Sequence, residues 1–125
     1  MVYSTQQKAV LSRIIEQSEH PLTARELFAE AQKELPHLGM ATVYRALRQF
    51  QEEGQIRVVE VPGATTHYET AARHHHHFFF CQQCEKLFNL MGCVRGINAL
   101  APERFQVRRH EIVLYGDCAS CLEAA

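Results

Sequence analysis

A C-x-x-C pair sets two thiolates at two corners of one metal tetrahedron, and this 125-residue chain carries two such pairs, Cys81/Cys84 and Cys118/Cys121. Held on one zinc ion, the four thiolates require the fold to bring residue 81 back against residue 121. A tetrahedral zinc with four thiolates has no open position, so such a site is structural and not catalytic. A rubredoxin-like iron centre uses the same ligand set. Directly before the first pair stands His74-His75-His76-His77. Along an extended strand these alternate, His75 and His77 on one face, His74 and His76 on the other, so one site cannot use all four. Imidazoles at this spacing suit a second, exchangeable metal.

Charge and length limit the partners. The formal net charge is −1, and residues 1–70 hold seven Lys/Arg against nine Asp/Glu, so nucleic-acid contact must come from a local cluster and not from a basic surface. The sequence shows no apolar signal core and no apolar run of membrane-spanning length, which predicts a soluble, cytoplasmic protein. Spaced cysteines in that compartment favour metal over disulfide. A chain of this size buries only small cores, so a metal staple and a partner chain are both expected stabilisers.

Three helices are predicted in the first half. Ser4 can cap the first, whose Val10, Leu11, Ile14 and Ile15 recur at helical spacing up to Glu19-His20-Pro21. Thr23-x-x-Glu26 has the form of a capping box opening the second, with Leu27, Phe28, Ala31 and Leu35 on its apolar face and Pro36 ending it. The third runs over Ala41 to Phe50 and is ended by Gly54. Val43, Leu47 and Phe50 point inward, leaving Thr42, Tyr44, Arg45 and Arg48 outside. Two β-prone runs, Ile56 to Val61 and Thr66 to Glu69, flank the turn Pro62-Gly63-Ala64-Thr65. Helices followed by a hairpin predict a winged helix-turn-helix, in which Arg45 and Arg48 meet base edges or phosphates and Tyr44 packs on a thymine methyl or bonds a phosphate.

At residue 72 the composition turns to His, Phe and Cys, giving expected domains at 1–72 and 73–125. Strands are predicted at Phe78–Phe80, Leu87–Leu90 and Phe105–Tyr115, with a short helix over Cys93–Leu100. The fold class is therefore α+β, a winged helix followed by a small α/β domain. His20, His37 and His67 read as surface or loop residues.

Gly39-Met40-Ala41-Thr42-Val43-Tyr44-Arg45, the strand with Tyr68-Glu69, the histidine run leading into Cys81-Gln82-Gln83-Cys84, and His110 through Cys118 together resemble the ferric uptake regulator family. The resemblance spans nearly the whole chain and is most like a zinc uptake regulator-type member. It implies a homodimeric repressor whose C-terminal domain dimerises and whose metal corepressor sets the dimer's shape for DNA. It also implies two metal positions besides the four-cysteine zinc. The first matches His75, His77 and His110, with Cys93 three residues before Gly96, where the family's glutamate aligns. The second matches Glu69 and His76, but Pro21, Phe78 and Asn89 stand where further ligands are expected, so it is a weaker site. Gln7 occupies the place of an arginine near the start of the first helix, implying reduced minor-groove anchoring.

The expected function is a metal-dependent repressor of metal uptake genes, binding a palindromic double-stranded operator as a homodimer, with zinc at both the structural and the regulatory site. Iron or manganese at the regulatory site, in an iron-, manganese- or peroxide-responsive member of the same family, is the nearest alternative. A zinc-dependent hydrolase or deaminase is the alternative of another class. It lacks an H-E-x-x-H, an H-x-E with P-C-x-x-C, and a general base beside the histidines. The chain is thus expected to be no enzyme, with no membrane and no small-molecule substrate among its partners.

Overall fold

The computed structural model describes residues 5–124, and the proposed cap Ser4 lies outside them. The chain divides into two compact units, one ending at Arg73 and the other beginning at His74.

Unit 1 runs α1 (Thr5–Gln17), β1 (Leu22–Thr23), α2 (Ala24–Gln32), α3 (Met40–Glu52), β2 (Ile56–Val59) and β3 (His67–Thr70). The periodic positions of the three helices meet in one core, where Leu11, Ile15, Leu27, Val43, Leu47 and Phe50 are essentially inaccessible. Each such side chain contributes about 1.5–3 kcal/mol of burial. Val10, Ile14, Phe28 and Leu35 pack at its margin. The capping box forms in full, since Thr23 Oγ1 accepts the Glu26 N–H at 3.1 Å and Glu26 Oε1 accepts the Thr23 N–H at 2.8 Å. α2 stops at Gln32, one turn before Pro36. At the hairpin the Ala64 N–H donates to the Val61 carbonyl at 3.0 Å, and Gly63 takes φ +82, which is the positive-φ position of a type II turn behind Pro62.

β1 is too short to leave a periodic signal in the sequence. Two residues ahead of α2 pair with β3, Leu22 against Tyr68 and Thr23 against His67, so the wing sheet has the order β1-β3-β2. That pairing puts β3 in the middle. His67 is consequently 1% exposed, not the surface residue its composition suggested. Its Nδ1 donates to the Thr65 carbonyl at 2.7 Å.

Unit 2 is a mixed sheet, β5-β4-β6, built from β4 (His77–Cys81), β5 (Leu87–Leu90) and β6 (Val113–Gly116). β4 pairs antiparallel with β5 and parallel with β6. A 3-10 turn at Ile97–Leu100 replaces the expected helix from Cys93, leaving Cys93 in a loop, and α4 (Ala119–Ala124) closes the chain. β6 is also much shorter than expected. Its run of β-prone residues begins pairing only at Val113, opposite Phe78, and Arg108 to Glu111 ahead of it are polar. Gly116 ends β6 where a Cβ would stand 3.3 Å from the Phe79 ring, a tight contact to which the ring would have to give slightly.

Candidate metal centres and nucleic-acid interface

The β4/β6 pair carries a ligand group at each end. Parallel register sets Cys81 beside Gly116 and Phe78 beside Val113, which delivers Cys118 to one end and His110 to the other. Among the described residues, two groups of metal-type ligands converge, Cys81/Cys84/Cys118/Cys121 and His75/His77/Cys93/His110, each with its donor atoms within 4.8 Å of one another.

In the cysteine group, Cys81 Sγ lies 3.7 Å from Cys121 Sγ and Cys84 Sγ 3.8 Å from Cys118 Sγ. With Zn–S bonds of about 2.3 Å, the edge of a tetrahedron is about 3.8 Å. The four sulfurs therefore fit zinc. The Cys84 and Cys118 amides point at Cys81 Sγ, at 3.5 and 3.3 Å. The Cys84 amide contributes most to lowering the Cys81 thiol to about 6. By contrast, its hydrogen bond with Cys118, followed by burial, pushes Cys121 up to about 12. Four thiolates cannot all ionise together without a cation between them, which is what a divalent metal supplies.

In the histidine group, His75 comes from the segment ahead of β4 and His77 from its first residue. Cys93 returns through the turn after β5, where Gly92 adopts φ +104, a conformation that strains residues with a Cβ. His110 arrives on the segment ahead of β6. The Nε2 of His75 lies 3.1 Å from that of His77 and 3.2 Å from that of His110. Cys93 Sγ is 3.3 Å from His77 Nε2 and 2.9 Å from His110 Nε2. Zn–N bonds of about 2.0 Å give a tetrahedral edge of about 3.3 Å, matching the imidazole separations. Cys93 stands closer to His110 than the sulfur-to-nitrogen edge of about 3.5 Å built from the same bond lengths, so its side chain would withdraw slightly on coordination. Burial, then the neighbouring His75, His110 and His76, lowers the pKa of His77 and so favours the neutral ring that a metal requires.

Glu69 and His76 belong to neither group. Glu69 is buried, and its carboxylate pairs with Arg57 Nε at 2.8 Å and Arg73 Nε at 3.9 Å. Arg73 also donates to the Ser18 carbonyl. The two arginines were absent from the sequence reading, although Arg57 faces Glu69 in the hairpin register and the pair was in principle legible. His76 is buried, with Nδ1 at 2.6 Å from the His74 carbonyl.

On α3, Tyr44 is 50% exposed, and Arg45 and Arg48 are exposed beside it. Thr42 is half-buried and accepts from Arg45 Nη2 at 3.1 Å, which limits the rotamers open to that guanidinium.

A winged helix followed by a unit holding two clusters of metal ligands defines a metal-responsive, DNA-binding transcriptional regulator. The sequence pattern of the Ferric uptake regulator family matches residues 2–115, and the chain belongs to that family, whose members act as metal-dependent transcriptional repressors. It is 28% identical to the Peroxide operon regulator of Bacillus subtilis over 120 residues, covering 93% of this chain and 81% of that one. Among solved structures it resembles a zinc-bound manganese uptake regulator at TM-score 0.80 and 25% identity, over 94% of this chain and 91% of the other. It also resembles FurB of M. tuberculosis, a zinc uptake regulator, at TM-score 0.52 and 26% identity, over 94% of this chain and 93% of the other.

Proposed function

We propose that this protein is a zinc-responsive repressor of metal uptake genes, in which Cys81, Cys84, Cys118 and Cys121 hold a structural zinc and His75, His77, Cys93 and His110 hold the regulatory one. The observation that carries the reading is the convergence of three imidazole Nε2 atoms on one thiol with no carboxylate among them. A nitrogen-rich set with one sulfur suits tetrahedral zinc, whereas iron and manganese sensors draw on oxygen donors. Thr42, Tyr44, Arg45 and Arg48 read the operator from α3. Residues 1–72 are then the DNA-binding domain and 73–125 the metal-binding, dimerising one. A dimer with two-fold symmetry places two recognition helices on a palindrome. In support, β6 is an edge strand of its sheet and carries Leu114 and Tyr115 at 51% and 44% exposure, a surface suited to a second copy. Glu69 is less suited to a metal, since its carboxylate is already engaged by Arg57 and Arg73.

The second reading, an iron- or manganese-loaded peroxide-responsive regulator, is favoured by the name of the Bacillus relative. Operator binding measured metal by metal separates the two. Zinc is expected to restore binding to the protein carrying only its structural zinc, and binding with ferrous iron or manganese but not zinc would overturn the proposal. Cys93→Ala should lower zinc affinity and zinc-dependent DNA binding while sparing the four-cysteine site. Cobalt-substituted parent should show thiolate-to-metal absorption beyond that of four cysteines, and the variant should lose that increment.

A further inference from the structure

We infer that metal entry at the His75/His77/Cys93/His110 cluster turns over the Glu111–Ile112 peptide, so that occupancy is signalled to the start of β6. The inference rests on those four residues being the regulatory ligands.

The two ring nitrogens of His77 face different partners. Nε2 points into the cluster, 3.1 Å from His75 Nε2 and 3.3 Å from Cys93 Sγ. Nδ1 accepts the backbone N–H of Ile112 at 3.2 Å. A peptide N–H can only donate, so Nδ1 presents its lone pair, and a neutral ring then carries its single proton on Nε2. That proton points to where a metal would sit. A metal needs the Nε2 lone pair, which moves the ring proton to Nδ1, and there it meets the Ile112 N–H, donor against donor. The Ile112 bond and a metal on a neutral His77 therefore exclude each other.

On metal entry the Nε2 proton passes to water, and water returns one to Nδ1, leaving the ring's charge unchanged. The Cys93 thiol gives its proton to solvent as its sulfur takes the metal. A metal-bound imidazole characteristically donates its remaining N–H to an oxygen acceptor. The Glu111 carbonyl shares a peptide plane with the Ile112 N–H and points the opposite way. Half a turn of that one peptide exchanges donor for acceptor.

The neighbouring bonds confine the movement. The Ile112 carbonyl accepts the Phe78 N–H at 3.1 Å, and ladder pairing begins at the next residue, with Val113 opposite Phe78. On the other side, His110 is itself in the cluster. The turning peptide thus lies between a ligand and the edge strand that carries Leu114 and Tyr115.

The test uses the full chain, isotopically labelled and carrying its four-cysteine zinc, titrated with further zinc. Long-range proton–nitrogen correlation reads the His77 ring, and amide exchange reads Ile112. The expected result is a His77 ring that changes from Nε2-protonated to Nδ1-protonated, together with an Ile112 amide that exchanges about two- to tenfold faster, in line with loss of one hydrogen bond. Ile112→Pro removes the competing donor but keeps the Glu111 carbonyl, so a folded variant should bind this zinc about two- to tenfold more tightly, while Ile112→Ala should match the parent. If zinc binds through His77 Nε2 and the Ile112 amide stays bonded to Nδ1, the inference fails and the site stands. If no zinc binds beyond the four-cysteine site, or if the His77 ring does not respond to it, the ligand assignment fails as well. Should Ile112→Pro not fold, the spectra of the parent decide alone.

Discussion

Replacing Cys84 with serine should collapse unit 2. Among its described residues the large apolar side chains that are buried are Phe80 and Leu87, at 6% and 1% exposure. Two such side chains contribute about 3–6 kcal/mol. α4 has six residues, too few to persist by itself. Past Gly116 the chain is tied back by the Gln82 N–H to the Gly116 carbonyl at 2.7 Å, by the Cys118 N–H to Cys81 Sγ, and by the sulfur cluster. A structural zinc contributes about 10–16 kcal/mol, several times the apolar core. Serine leaves three thiolates and a hydroxyl that stays protonated at neutral pH. The variant should contain less than one equivalent of structural zinc, lose its dimer in size-exclusion chromatography with light scattering, and show an early thermal transition. The helical signal of unit 1, whose core lies among its own three helices, should persist to a later one. A Cys84→Ser protein that remains a folded dimer with the parent's zinc content would refute the reasoning.

Arg45→Ala should weaken operator binding by about 1–3 kcal/mol if the guanidinium meets a base edge, with metal content unchanged. If it meets a phosphate, the loss should be uniform across sequences and the salt slope shallower, as a titration at several salt concentrations would show. Leu47→Ala empties a site 1% exposed in the helical core and should cost about 2–5 kcal/mol in denaturant unfolding of unit 1. Thr23→Ala removes one half of the capping box and should cost about 1 kcal/mol in the same assay, an effect absent in Thr23→Ser.

Local chemistry made much of this protein legible. Helical spacing at Leu11, Ile15, Leu27, Val43, Leu47 and Phe50 identifies the core of unit 1, because a stripe recurring every three or four residues has one face to bury. The S/T-x-x-E pattern at Thr23 and the Pro62-Gly63 turn specify bonds between near neighbours, and both form as their residues dictate. The C-x-x-C spacing fixes two corners of a tetrahedron in the same way. Period-two alternation through the histidine run, which leads into β4, was enough to set His75 with His77 and apart from His76.

What the sequence could not carry is pairing between distant segments. His67 looked like a loop residue until β1 took the second edge of β3 and buried it, and a two-residue strand leaves no periodic trace. The β-prone run before Tyr115 promised a long strand, but pairing begins only at Val113, where the parallel register with β4 brings Phe78 alongside. That register also decides that His110 closes on His75 and His77, and that an Ile112 amide, invisible to any side-chain motif, reaches the far nitrogen of His77. Composition and spacing select the donor atoms within a few residues of one another. Which donors meet across 35 residues of chain is decided by strand order and register, and these depend on packing that no short window of sequence contains.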